Sequence, residues 1–108
     1  MPGPTIIFDL ETRKLADEVG GWDHIARMGL ACAVTLNMTA GEFHRYVEAD
    51  AEALVAELQS AGLVVGFNIK RFDYTVLQPY TGVRLADLPT LDLLEHIHRA
   101  LGFRLPLD

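Results

Sequence analysis

Positive charge is in short supply: nine Lys and Arg stand against fifteen Asp and Glu, for a net charge of −6. Nucleic-acid binders usually carry a basic face, so the overall balance argues against a polyanionic partner. Cysteine is nearly absent. The single Cys32 lies in the apolar run GLACAV, excludes an internal disulfide and reads as a buried reduced thiol. No run approaches the ~18 apolar residues of a membrane span, and no basic-then-apolar leader opens the sequence. No membrane association is therefore expected, and the expected compartment is the cytoplasm. Repeats, low-complexity tracts and an interdomain linker are missing too. With 108 residues, 50% hydrophobic and 22% charged, the composition is that of one small globular domain, residues 1–108.

The hydrophobic pattern predicts an order of elements. Residues 5–10 read as a buried strand, and GLACAVTLN (29–37) and EFHRYVE (42–48) as two more, with MTAG supplying the turn between them. Asp50 is a candidate N-cap for AEALVAELQSAG, where Ala51, Leu54, Val55 and Leu58 share one helical face. Gly62 is expected to end that helix in the left-handed conformation. LVVGF (63–67) reads as a strand buried on both faces by parallel pairing. KRFDYTVLQ then reads as a helix stopped by Pro79. The closing DLPTLDLLEHIHRALG gives a short extended piece and a helix ended by Gly102. The order βββαβαβα predicts an α/β fold: three antiparallel strands, then parallel strands, in a mixed sheet with flanking helices. Segment 13–28 fits no regular element and reads as an insertion over one end of the sheet.

Two stretches carry chemistry. In TIIFDLET, alternation along a strand puts Asp9 and Glu11 on one face, about 7 Å apart. Like charges near a core edge raise one another's pKa unless something positive compensates, and a divalent metal would do so; a solvated strand end is the plainer alternative. In VVGFNIKRFD an apolar strand again runs into polar residues, with Gly66 permitting close backbone approach and Asp73 in the first helical turn. If strand 63–67 pairs parallel with strand 5–10, Asp73 arrives beside Asp9 and Glu11, at the carboxyl ends of strands where ligands collect in such sheets. Taken alone, Asp73 is simply a favourable acid at a helix start. Oxygen-only ligands suit Mg²⁺ or Mn²⁺. The scarce bases sit close by, Arg13 and Lys14 after the first pair and Lys70 and Arg71 before Asp73. An acidic centre with a basic rim suits metal ions that meet phosphate.

FDLET, followed at residues 66–73 by GFNIKRFD, resembles the first two motifs of the DEDD exonucleases, 3′–5′ exonucleases of ribonuclease H-like fold. GGWDHIARMGLACAVT, VVGFNIKRFDYTVL and LPTLDLLEHIHRALGFRL resemble in particular the bacterial YprB-like group, so the likeness spans nearly the whole chain. It implies phosphodiester hydrolysis at single-stranded nucleic-acid 3′ ends with two Mg²⁺ or Mn²⁺ ions. Asp9 would bridge both ions, Glu11 would bind the water-activating one and Asp73 the other. Leu10, Thr12, Asn68 and Phe72 would contact substrate, with a core role for Phe72 as the alternative.

The family's third motif is an aspartate preceded by a Tyr or His, and this sequence ends at FRLPLD, where relatives continue toward it. The resemblance thus implies a form incomplete at its C-terminus, with weak activity or none, or else a non-catalytic module binding nucleic acid or protein. Asp92 is expected to cap a helix, Asp108 is a poor substitute for the fourth acid, and His98 reads as a core or edge residue. An uncovered sheet face implies a homo-oligomer.

Overall fold

The computed structural model describes residues 3–102. Strand β1 (Thr5–Thr12) alternates Ile6, Phe8 and Leu10 inward with Ile7, Asp9 and Glu11 outward. It pairs antiparallel with β2 (Leu30–Asn37), which pairs antiparallel with β3 (Glu42–Val47). The other edge of β1 pairs in parallel with β4 (Leu63–Gly66), and β4 pairs in parallel with β5 (Thr90–Asp92). The sheet order is β3, β2, β1, β4, β5, with β1 in the middle. The predicted mixed sheet, three antiparallel strands and then parallel ones, is the sheet observed.

Helices cover one face of this sheet. Helix α1 (Ala51–Ser60) buries the expected stripe of Ala51, Leu54, Val55 and Leu58 against it. A π-turn (Ile69–Asp73) leads into the short α2 (Tyr74–Leu77), adding Ile69, Tyr74, Val76 and Leu77 to the same core. Helix α3 (Leu93–Leu101) buries only Leu94, and Gly102 ends it at φ 76°. None of the helices among the described residues is long and apolar enough to cross a membrane.

The opposite face is open. Strand register lines Phe43, Leu36, Ile7, Val65 and Leu91 across all five strands in one row. Phe43 is 70% and Val34 38% exposed. Cys32 points to this side opposite Glu11, so it is half-buried rather than buried as expected.

Four local expectations are corrected. Asp50 does not cap α1 through its side chain; a 3₁₀ turn (Glu48–Asp50) precedes the helix, and the Asp50 carboxylate accepts from Val47 N instead. Gly62 is not left-handed. It is a glycine because a Cβ there would collide with the backbone of Gly3, where Gly62 N donates to Pro4 O at 2.8 Å. Pro79 does not stop the helix before it, because it sits early in a final 3₁₀ turn (Gln78–Tyr80) where its missing N–H costs nothing. Segment 13–28 is more than an overlying insertion. Arg13 N and Lys14 N bond to Gly29 O and Met28 O, extending the β1–β2 hairpin, and its 3₁₀ turns (Ala16–Val19 and Trp22–Arg27) bury Ala16 and Ile25, with Met28 just after them.

One polar cluster pins α1 to the β2–β3 edge. Glu57 accepts from the fully buried Thr35 hydroxyl and from Tyr46 Oη at 2.6 Å, and lies 3.1 Å from His44 Nδ1. Burial pushes Glu57 up, but the hydrogen bonds from Thr35, Tyr46 and His44 outweigh it and hold the carboxyl below its ordinary pKa. The hydrogen bond and charge of Glu57 raise His44 in turn, while burial and the same carboxylate push Tyr46 up to about 12. Glu57→Ala strands the Thr35 hydroxyl and is expected to cost about 1–3 kcal/mol in urea denaturation. The Glu57 contribution is present above its unfolded pKa and is lost as pH falls through the lower folded value. The His44 contribution is present below the unfolded histidine pKa and is lost as pH rises through the raised one. The stability difference between wild type and Glu57→Ala, followed against pH, should therefore shrink at both ends.

Candidate metal and nucleic-acid site

Gly66 closes β4 where the chain must turn back against β1. A Cβ at this position would lie 2.7 Å from Ile69 Cδ1 and 3.1 Å from Phe8 O, as its predicted role in close approach requires. Asn68 follows in the left-handed conformation at φ 56°, the only non-glycine among the described residues with positive φ. Asparagine tolerates that conformation better than most residues. The π-turn then carries Asp73 inward. π-Turns of this kind recur at functional sites, where they re-aim a side chain.

Asp92 holds this turn. Its carboxylate accepts from Asn68 N (2.9 Å), Lys70 N (3.1 Å) and Leu94 N (3.1 Å). It therefore caps α3, as expected, and also fastens the π-turn to β5. With three donors already satisfied and 6% exposure, it is a structural acid.

Asp73 is only 4% exposed. Its pKa is pushed up to about 7, first by burial and then by the nearby charge of Asp9; Asp92 adds to the rise, while the backbone N–H groups of Asp73 and Leu10 oppose it. Parallel pairing of β1 and β4 thus delivers Asp73 beside Asp9. Glu11 lies two residues further along the same strand face, exposed to solvent. The three acids do not close into one ligand group: among the described residues, no set of three or more His, Cys, Asp or Glu side chains is placed to hold a metal ion.

The donors nonetheless suit a hard divalent cation. They are all oxygens, and a buried carboxylate already strained by a neighbouring carboxylate is what a cation relieves. Asp9 and Asp73 are donors of that type, and Glu11 adds a third carboxylate on the same face of β1 as Asp9.

The sequence matches no family model and no curated protein. Solved structures do match. The zinc-ion-bound form of an E. coli ExoI–ssDNA complex aligns with a TM-score of 0.66 at 16% identity, over 94% of this chain and 30% of that one. An ExoI/SSB-Ct complex aligns with a TM-score of 0.66 at 16% identity, over 100% of this chain and 33% of that one. The fold is ribonuclease H-like. This chain spans about a third of the length of either structure.

Within this ribonuclease H-like frame, the remaining candidates are placed as follows. The Leu10 side chain is in the core, so only its backbone faces the acids. Thr12 Oγ1 donates to Lys14 O at 3.0 Å. Asn68 lines a groove of about 340 Å³ together with Lys70, Arg71, His98 and Arg99. His98 is half-buried there, and its Nε2 has no hydrogen-bond partner among the described residues. Phe72 packs against the core and meets Trp22, ring centroids 6.2 Å apart and tilted by 57°. Trp22 was not singled out from sequence. Its signal is the preceding pair Gly20–Gly21, whose φ values of 93° and 110° set the indole outward at 61% exposure. Asp108 lies outside the described residues.

The state of Asp73 sets a pH dependence. Its folded pKa lies above the unfolded aspartate value near 3.9, so the folded state binds the extra proton between the two. In EDTA, wild-type stability should fall as pH rises from about 4 to 7, whereas Asp73→Asn should show a flatter profile and a higher melting temperature at pH 8. Melting curves across pH 5 to 9 check both. Asp92→Ala should cost about 1–3 kcal/mol at any of these pH values, because three backbone donors lose one acceptor.

Proposed function

We propose that this chain is a DEDD-type nuclease domain, nearest the YprB-like group, acting on single-stranded nucleic acid at 3′ ends. The observation that carries the proposal is Asp73, buried beside Asp9, which lies just past the stretch of β1 that pairs with β4, in a ribonuclease H-like sheet. Asp9, Asp73 and, on reorientation, Glu11 would hold Mg²⁺ or Mn²⁺. When bound, such ions activate water and stabilise the leaving oxygen of a phosphodiester. The protein's own part is to hold the acids in register and to supply cationic side chains at the rim. Leu10 and Thr12 would present backbone to the substrate, and Asn68 and Phe72 would border it. A non-catalytic binding module is favoured if the acids never close on a metal. The apolar row on the open sheet face supports self-association through β2 and β3 as a further part of the proposal.

Mn²⁺ bound only by the native state should raise the melting temperature, since saturation at a hundred times Kd contributes about 2.7 kcal/mol. Asp9→Ala should abolish that rise and, in EDTA, melt slightly above wild type. A 5′-labelled single-stranded oligonucleotide should shorten slowly from its 3′ end with Mn²⁺ and not at all with Asp9→Ala. Equal metal shifts in both proteins would refute the metal site. A metal-dependent shift without cleavage, but with oligonucleotide binding, would assign the module reading.

A further inference from the structure

The acidic chain concentrates its few cations. Of the nine Lys and Arg residues, six line two grooves: Arg13, Lys14 and Arg27 in one of about 330 Å³, and Lys70, Arg71 and Arg99 in the other of about 340 Å³. Arg13 pairs with Glu48, and Lys70 and Arg99 pair with Glu95; Lys14, Arg27 and Arg71 have no such partner among the described residues. Arg13 and Lys14 follow β1 directly, and the first groove reaches Glu48 just beyond β3. The second lies beyond β4 and β5. Since β1, β3, β4 and β5 run the same way, both grooves open at one end of the sheet, with Asp9 on the central strand and Asp73 in the π-turn beside it.

Trp22 stands in the same region. It begins the 3₁₀ turn that ends at Arg27 and rests on Phe72, which lies between Arg71 and Asp73 in the chain. An indole 61% exposed leaves much apolar area in water. Phe72 lies against one side of it, ring centroids 6.2 Å apart and tilted by 57°, and Gly20 and Gly21 at positive φ lead the chain into its turn. An exposed aromatic face with Lys and Arg nearby is how proteins hold single strands: bases stack on the ring while the cations follow the phosphates.

Resting on the nuclease reading above, we infer that Trp22, seated on Phe72, is a base-stacking platform for single-stranded nucleic acid, with the two cationic grooves holding the phosphates on either side. Trp22 is a binding residue distinct from the acids that would hold metal.

Trp22 is the only tryptophan, so its fluorescence reports on the platform without any substitution. In EDTA, a labelled ten-nucleotide oligo-dT, or oligo-U in a parallel arm, is titrated while anisotropy and tryptophan emission are both recorded. The expected result is quenching that saturates with the anisotropy. Trp22→Ala should weaken binding about fivefold to 150-fold, and Trp22→Phe should restore most of it. Arg71→Ala should lower the slope of log K against log salt by about 0.7, the loss of one phosphate contact on a single strand. Unquenched emission during saturable binding would overturn the platform while leaving the nuclease reading intact. Unchanged affinity in a folded Trp22→Ala protein would do the same. Absence of any binding by wild type would overturn both.

Discussion

Everything at the candidate site depends on β1 being paired on both edges with different partners. Its antiparallel edge is closed by β2 within a local hairpin, and its parallel edge is taken by β4 after a crossover through α1. The two-residue period of a strand allows Ile6, Phe8 and Leu10 to anchor the core only if Ile7, Asp9 and Glu11 face the other way. A one-residue slip would bury the acids and expose the core residues, so hydrophobic burial itself fixes where the carboxylates stand. Parallel pairing then sets the direction in which the chain leaves β4, and hence that Asp73 returns to β1 beside Asp9.

Asp92 makes that return reproducible. Three backbone N–H groups from two segments converge on one carboxylate, so the π-turn and the start of α3 cannot move independently. Its charge also contributes to the raised pKa of Asp73. Two aspartates on neighbouring elements thus divide the work. One has its carboxylate held by three backbone donors, and the other is left with a poor environment for its charge. The second is the one suited to a cation.

The two faces of the sheet differ for a related reason. On the covered face, even polar groups are satisfied, as Glu57 shows with Thr35, Tyr46 and His44. On the open face an apolar row crosses every strand, and Asp9, Glu11 and Arg45 stand on the same face in the rows beside it. Asp9 and Glu11 therefore stand between an apolar sheet surface and the Lys and Arg residues that follow the strand ends.

Much of this was legible in the sequence because it follows from local periodicity. The strands, the buried stripe of α1, the Gly102 stop and the parity of Asp9 with Glu11 depend only on neighbours along the chain. The parallel placement of Asp73 and the capping role of Asp92 were also readable, because element order restricts the topology. What sequence missed depends on contacts between distant segments. Gly62 is a glycine because Gly3 lies against it, and Asp50 bonds to Val47 because a 3₁₀ turn precedes α1. Segment 13–28 joins the core through Ile25 and Met28, whose three-dimensional neighbours lie on α2 and the sheet. Sequence by itself determined which residues lie on which face of each element. Only the tertiary structure decided that Asp73 is buried while Glu11 stays in water, that six cations gather in two grooves, and that Trp22 stands out against Phe72. Burial and proximity between segments are properties of the packed chain, and no spacing along it encodes them.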